Sequence, residues 1–160
     1  MKTIILCGGE GIRMKEETEF KPKPLVTVGG MPILQHIMKI YAHYGYRDFI
    51  LALGYRGHMI KSFFLNECKL TNNFTLDTKT GETTYHDRVN DDGFRITFVE
   101  TGLKTDTGRR ILESKKYIDE DGFMITYGDG VADLDIGKLV EFHHRQGTLG
   151  SVTGVHPYSK

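Results

Sequence analysis

The chain has 160 residues, enough for one domain with its own core, and its 39% hydrophobic and 26% charged content excludes wholesale disorder. The 21 basic and 21 acidic residues cancel, so no global basic field is available to hold a nucleic-acid backbone, and no nucleic-acid partner is expected. No apolar run approaches the roughly 20 residues that span a bilayer, Met1-Lys2-Thr3 leads into glycines too early for a secretory leader, and Cys7 and Cys68 alone make no disulfide framework. The expectation is a cytoplasmic protein with free thiols and no membrane partner.

Residues 3–7 form a continuous apolar run that stops at Gly8-Gly9, the pattern of a parallel strand buried on both faces. Residues 25–28 and the turn Gly29-Gly30 precede Pro32, which opens a helix bearing Ile33, Leu34, Ile37, Met38, Ile40 and Tyr41 and closing at Gly45. A second apolar run, 49–53, ends at Gly54, and a helix over 58–66 carries Met59, Ile60, Phe63 and Phe64 on its inner face. Residues 74–76, 83–85 and 95–99 read as short strands punctuated by Thr80-Gly81 and Asp92-Gly93, an inserted hairpin within about residues 71–100 that leads back to the sheet. Beyond it come a helix over 108–117 with Ile111 and Leu112 inward, a strand over 123–126 ending at Tyr127-Gly128-Asp129-Gly130, a helix over 136–146 capped by Asp135, and a strand over 151–155. This alternation predicts a single α/β domain over residues 1–160, Rossmann-like, with a mostly parallel sheet, helices on both faces and ligands beyond the carboxyl ends of the strands.

Chemistry concentrates at those strand ends. In Gly8-Gly9-Glu10-Gly11-Ile12-Arg13 the glycines allow a tight turn that brings successive N–H groups close to phosphate oxygens, and Arg13 adds a bidentate donor. Met14 stands where the dinucleotide fingerprint needs glycine, and the Gly-x4-Gly-Lys-Ser/Thr pattern is absent, so neither common phosphate loop is present. By residues alone, this stretch is either a phosphate cradle or a glycine-rich turn with Arg13 in solvent. In Lys21-Pro22-Lys23-Pro24 each proline fixes its own φ and pushes the preceding lysine toward extended geometry, presenting two ammonium groups on a stiff segment. An exposed basic turn is the alternative. His143 and His144, adjacent on one helix, point to different faces and cannot chelate one metal.

Taken together, Gly8-Gly9-x-Gly11-x-Arg13, Lys23-Pro24 and Gly29-Gly30-Met31-Pro32-Ile33 resemble the signature of sugar-1-phosphate nucleotidyltransferases. The Lys-Pro-Lys-Pro variant, Thr101-Gly102 with Thr105, Thr107-Gly108 and Arg110, and Tyr127-Gly128-Asp129-Gly130-Val131-Ala132-Asp133-Leu134-Asp135 narrow the likeness to the glucose-1-phosphate cytidylyltransferase family, over essentially the whole chain. The resemblance implies a nucleotide site formed by Leu6, Cys7, Gly8, Gly9, Glu10, Gly11, Ile12 and Arg13 with Lys23, Thr105, Arg110 and Gly128, the catalytic charges being Lys23 and Arg13. It further implies Mg²⁺ as cofactor on Asp129, CTP and glucose 1-phosphate as substrates, a homo-oligomer, and a place in deoxysugar and lipopolysaccharide O-antigen biosynthesis.

Two positions depart from the family pattern: Ile12 replaces a usual threonine, and Arg109 a usual glycine, where it either crowds the loop or supplies another phosphate donor. The chain ends at Lys160, whereas the family continues into the sugar pocket and a second metal-binding aspartate, so the expectation is nucleotide binding with poor turnover. The implied reaction is transfer of CMP from CTP to α-D-glucose 1-phosphate, giving CDP-glucose and pyrophosphate. It needs positioning and cationic stabilisation and no covalent nucleophile, which leaves Cys7 structural. The alternatives are a UTP- or dTTP-dependent transferase of the same superfamily and a non-catalytic nucleotide-binding remnant.

Overall fold

The computed structural model describes residues 1–9, 20–67, 70, 72–86 and 92–155. Four strands build one parallel sheet: β1 (Lys2–Cys7), β4 (Asp48–Leu53), β7 (Arg95–Glu100) and β8 (Phe123–Tyr127), in the order β7-β4-β1-β8. In the register, Ile5 of β1 faces Leu51 on one side and Thr126 on the other. The two central strands are buried almost throughout, which is why both read as unbroken apolar runs. Alternate residues divide between two cores. Ile5, Cys7, Phe49, Leu51 and Leu53 meet helix α1 (Ile33–His43) through Leu34, Ile37, Met38 and Tyr41, helix α2 (Gly57–Ser62) through Ile60, and helix α4 (Ile136–Gln146) through Ile136. On the other face Ile4, Leu6, Ile50, Ala52 and Val99 meet Ile111 of helix α3 (Thr107–Ser114). Helices therefore cover both faces, as the alternating pattern predicts. No helix among the described residues is long and apolar enough to cross a membrane.

Two short ribbons decorate the sheet. β2 (Thr27–Val28) and β3 (Met31–Pro32) pair antiparallel around Gly29 and Gly30, whose φ values of +59° and +83° suit glycine. β5 (Phe74–Leu76) and β6 (Thr83–Tyr85) form the expected hairpin, with Gly81 at φ +78° in its turn, while β7 returns to the main sheet.

Several expectations are corrected. The helix after β4 is α-helical only over Gly57–Ser62 and continues as a π-turn over Phe63–Glu67. Residues 25–28 are not one strand, because a 3₁₀ turn at Lys23–Leu25 uses the first of them and leaves two for β2. In α3, Leu112 is 55% exposed. Ile111 packs inward as expected, but the buried positions are Arg110 and Ser114, which lie one turn apart and bond to each other through the Ser114 hydroxyl and the Arg110 carbonyl. A polar pair therefore occupies ground that the apolar pattern assigns to leucine. Residues 151–155 form no strand; Val152 and Val155 are exposed, and the outer edge of β8 has no strand beside it among the described residues.

Candidate active site

The chain runs from β1 to β4 to β7 in one direction and then crosses to the far side of β1 with β8. The switch point therefore lies between β1 and β8, where open α/β sheets hold their ligands. At those strand ends lies a cleft of about 530 Å³, within the range of a small-molecule site. Leu6, Cys7, Gly8 and Gly9 form one wall, Lys23 and Pro24 a second, Leu103 to Thr107 with Arg110 a third, and Tyr127 and Asp129 the fourth.

Lys23 and Asp129, 106 residues apart in sequence, meet as an ion pair at 2.8 Å. Their backbones are fixed by close packing. Pro22, Pro24 and Leu25 are buried, and the turn between them is closed by Leu25 N–H donating to the Pro22 carbonyl and Val26 N–H to that of Lys23. Lys23 is thus held stiffly, as the prolines imply, but in a 3₁₀ turn and not in extended backbone, because these two hydrogen bonds outweigh the bias that Pro24 imposes. Opposite, Gly128 N–H donates to the Leu6 carbonyl at 3.0 Å. A Cβ on Gly128 would lie 2.8 Å from Cys7 Sγ and 3.2 Å from Pro24 Cγ, so only glycine lets β8 deliver Asp129 this close to β1 and to the lysine turn. Lys21, the other candidate ammonium, is not among the residues lining the cleft.

Arg110 is only 6% exposed and reaches under the glycine turn. Its Nη1 donates to the carbonyls of Leu53 and Gly102 and to the Thr101 hydroxyl, and its Nη2 to the carbonyls of Gly8 and Leu103. Burial lowers its pKa, and the charge of Asp106 pushes the other way. The Thr105 hydroxyl donates to the Thr101 carbonyl, holding its own loop, while Asp106 caps α3 by accepting from Arg109 N–H. The Arg109 guanidinium pairs with Glu113 one turn on, at 2.6 Å. Cys7 is buried, and desolvation first, then the nearby Asp129 carboxylate, push its thiol pKa upward while Arg110 pulls it down. It is no thiolate nucleophile.

Among the described residues no three His, Cys, Asp or Glu side chains converge on one point. Of the two carboxylates that line the cleft among the described residues, Asp106 is engaged in capping α3, which leaves Asp129 as the hard oxygen donor for a metal. That suits Mg²⁺, which takes few protein ligands and completes its shell with water and phosphate oxygens. Glu10, Gly11, Ile12 and Arg13 lie outside the described residues, as does Cys68. Sequence reasoning passed over Tyr127, 60% exposed at the cleft, and the loop residues Leu103 and Lys104. The available signal was position: Tyr127 is the last residue of β8, and Leu103 and Lys104 follow the end of β7.

The family profile described as "Nucleotidyl transferase" matches residues 2–160. The chain is 47% identical over 160 residues to a Bacillus subtilis protein named "Probable glucose-1-phosphate cytidylyltransferase", covering all of this chain and 62% of that one. It is 42% identical over 159 residues to the glucose-1-phosphate cytidylyltransferase of Salmonella typhimurium, covering 98% of this chain and 61% of that one. It thus spans a little over three-fifths of the length of these relatives. Among solved structures, HddC from Yersinia pseudotuberculosis complexed with GMP-PN is similar at 26% identity and a TM-score of 0.64, over 89% of this chain and 53% of that one. The UTP-bound UGPase of Acinetobacter baumannii, at 19% identity and a TM-score of 0.68 over 91% of this chain and 53% of that one, shares the fold. A parallel sheet whose strand ends pair a proline-held lysine with an aspartate, matched from end to end by one family profile, places the assignment beyond the fold alone: the chain belongs to the nucleotidyl transferase family.

Proposed function

We propose that the cleft binds CTP·Mg²⁺ and serves the transfer of CMP to α-D-glucose 1-phosphate, giving CDP-glucose and pyrophosphate. The observation that carries this reading is the Lys23–Asp129 pair beside the glycine-lined end of β1, a cation and a carboxylate placed together in one cleft of about 530 Å³. The identity of 42–47% to the cytidylyltransferases along the whole chain supports CTP and glucose 1-phosphate as the substrates.

In this reaction a phosphate oxygen of the sugar phosphate attacks the α-phosphorus of the nucleotide. The bond from that phosphorus to the bridging oxygen breaks, and pyrophosphate leaves with its electron pair. Both reactants are anions, so the barrier is lowered chiefly by positioning and fixed positive charge. Lys23 leaves Asp129 to neutralise phosphate charge, and Arg13, which resemblance assigns to phosphate, adds a second cation. The backbone N–H groups around Gly8 and Gly9 orient the triphosphate without side chains in the way. Asp129 would hold the Mg²⁺, whose chemistry when bound is to screen the oxygens of the triphosphate. Tyr127 offers a ring at the cleft against which a sugar or base can lie. The test is incubation with Mg²⁺, glucose 1-phosphate and each pyrimidine triphosphate in turn, with nucleotide sugar and pyrophosphate quantified. CDP-glucose in excess over UDP- and dTDP-glucose supports the reading, and a preference for UTP or dTTP replaces it with the corresponding transferase.

A further inference from the structure

Arg110 is the least expected residue of the cleft. A cation beside a phosphate site ordinarily points its donors at the ligand, yet here both terminal nitrogens are spent on protein acceptors drawn from three strand ends. They are Gly8 after β1, Leu53 at the end of β4, and Thr101, Gly102 and Leu103 after β7. The neighbouring glycines are explained by it. A Cβ on Gly8 would clash with the guanidinium at Nη1 and Cζ, and one on Gly54 would lie 2.7 Å from Nη1 and 2.7 Å from the Gly8 carbonyl oxygen. The Gly8 carbonyl is held from a second side as well, by Tyr55 N–H at 3.3 Å.

A trans peptide is planar, with its C=O and N–H pointing in opposite directions. Fixing the Gly8 carbonyl toward Arg110 and Tyr55 therefore fixes the Gly9 N–H on the opposite side. Building on the nucleotide site proposed above, we propose that Arg110 is a positioning residue: its guanidinium locks the Gly8–Gly9 peptide so that the Gly9 N–H is preset to donate to the triphosphate. The rigidity has a physical basis. An unconstrained glycine pair samples both signs of φ, and ordering it at the moment of binding costs affinity.

The test compares Arg110→Met, Arg110→Lys, Gly8→Ala and the Gly8→Ala/Arg110→Met double variant, each checked for its fold by circular dichroism. Without nucleotide, amide hydrogen exchange at Tyr55, whose N–H donates to the Gly8 carbonyl, should quicken by at least about tenfold in Arg110→Met, the scale of one lost charge-assisted hydrogen bond. CTP·Mg²⁺ affinity should fall by a similar factor. Arg110→Lys keeps the charge but lacks the planar fork, so it should lose affinity and exchange protection partially together. Gly8→Ala alone should weaken binding, and in the Arg110→Met background it should add little, because both changes release the same peptide. Unchanged exchange in a folded Arg110→Met or Arg110→Lys protein overturns the proposal. So does wild-type affinity in Arg110→Lys with accelerated exchange, or losses at the two positions that simply add. Absence of binding in the wild type is a different failure, that of the nucleotide site itself, and the exchange measurement then still decides the clamp.

Discussion

Replacing Lys23 by Gln separates a structural ion pair from a functional one. The Lys23 and Asp129 side chains are 26% and 36% exposed, so water screens the pair and side-chain entropy opposes it. A partly exposed pair of this kind contributes at most about 1 kcal/mol to stability, and urea unfolding of Lys23→Gln should shift by no more than that. If the ammonium moves to phosphate oxygens when nucleotide arrives, the same substitution removes a hydrogen bond to a charged group. That is worth about 1.5–3 kcal/mol, or roughly 10- to 150-fold in CTP·Mg²⁺ affinity by calorimetry. Lys21→Gln, outside the cleft, should change binding far less. A Lys23→Gln protein that loses more than about 2 kcal/mol of stability and binds nucleotide as the wild type does would refute the reasoning and make the pair a structural brace.

Other consequences follow from particular contacts. Gly54→Ala forces a methyl to within 2.7 Å of the Gly8 carbonyl and 2.9 Å of that of Gly102, neither free to swing away. Overpacking of this kind should cost about 1–3 kcal/mol in denaturant unfolding and weaken nucleotide binding with it. Asp106→Ala removes the cap of α3 and should lower stability by about 0.5–2 kcal/mol, whereas Asp106→Asn should restore most of it; equal losses would deny the cap its role. Asp135 has its pKa held below the ordinary 3.8 chiefly by the Lys138 N–H. Its contribution is therefore fully present above the unfolded-state value and is lost as pH falls through the lower folded-state value. An Asp135→Asn protein should show a shallower acid limb in stability against pH, and an unchanged limb would contradict this. Cys7, buried with its thiol pKa raised, should resist iodoacetamide in the native protein and react on unfolding.

The strands and helices of the central sheet were legible because one physical signal dominated each. Residues 3–7 and 49–53 are apolar on both faces because both faces are covered, and 136–146 carries its own cap in Asp135 and ends at Gly147 with φ +61°. What misled was chemistry that periodicity does not encode. Arg110 occupies an inward position because its donors find carbonyls at three strand ends, a satisfaction visible only once the chain has folded, and Leu112 is displaced to the surface. Residues 151–155 have a strand's composition, but a strand also needs a partner edge in register, and none is made. Of the site, residue type alone leaves Lys21 and Lys23 equivalent, whereas the family resemblance implies Lys23, Gly128 and Asp129. Their meeting depends on Gly128 packing against Cys7 and Pro24, a contact between segments more than 100 residues apart.

The most direct test of the nucleotide site is a calorimetric titration of this chain with CTP·Mg²⁺, repeated with UTP·Mg²⁺ and dTTP·Mg²⁺ and with the Asp129→Asn protein. One CTP site, tighter than for the other two nucleotides and weakened at least about tenfold by Asp129→Asn, is the predicted result. Absence of binding by any pyrimidine triphosphate, or binding that Asp129→Asn leaves untouched, would contradict it.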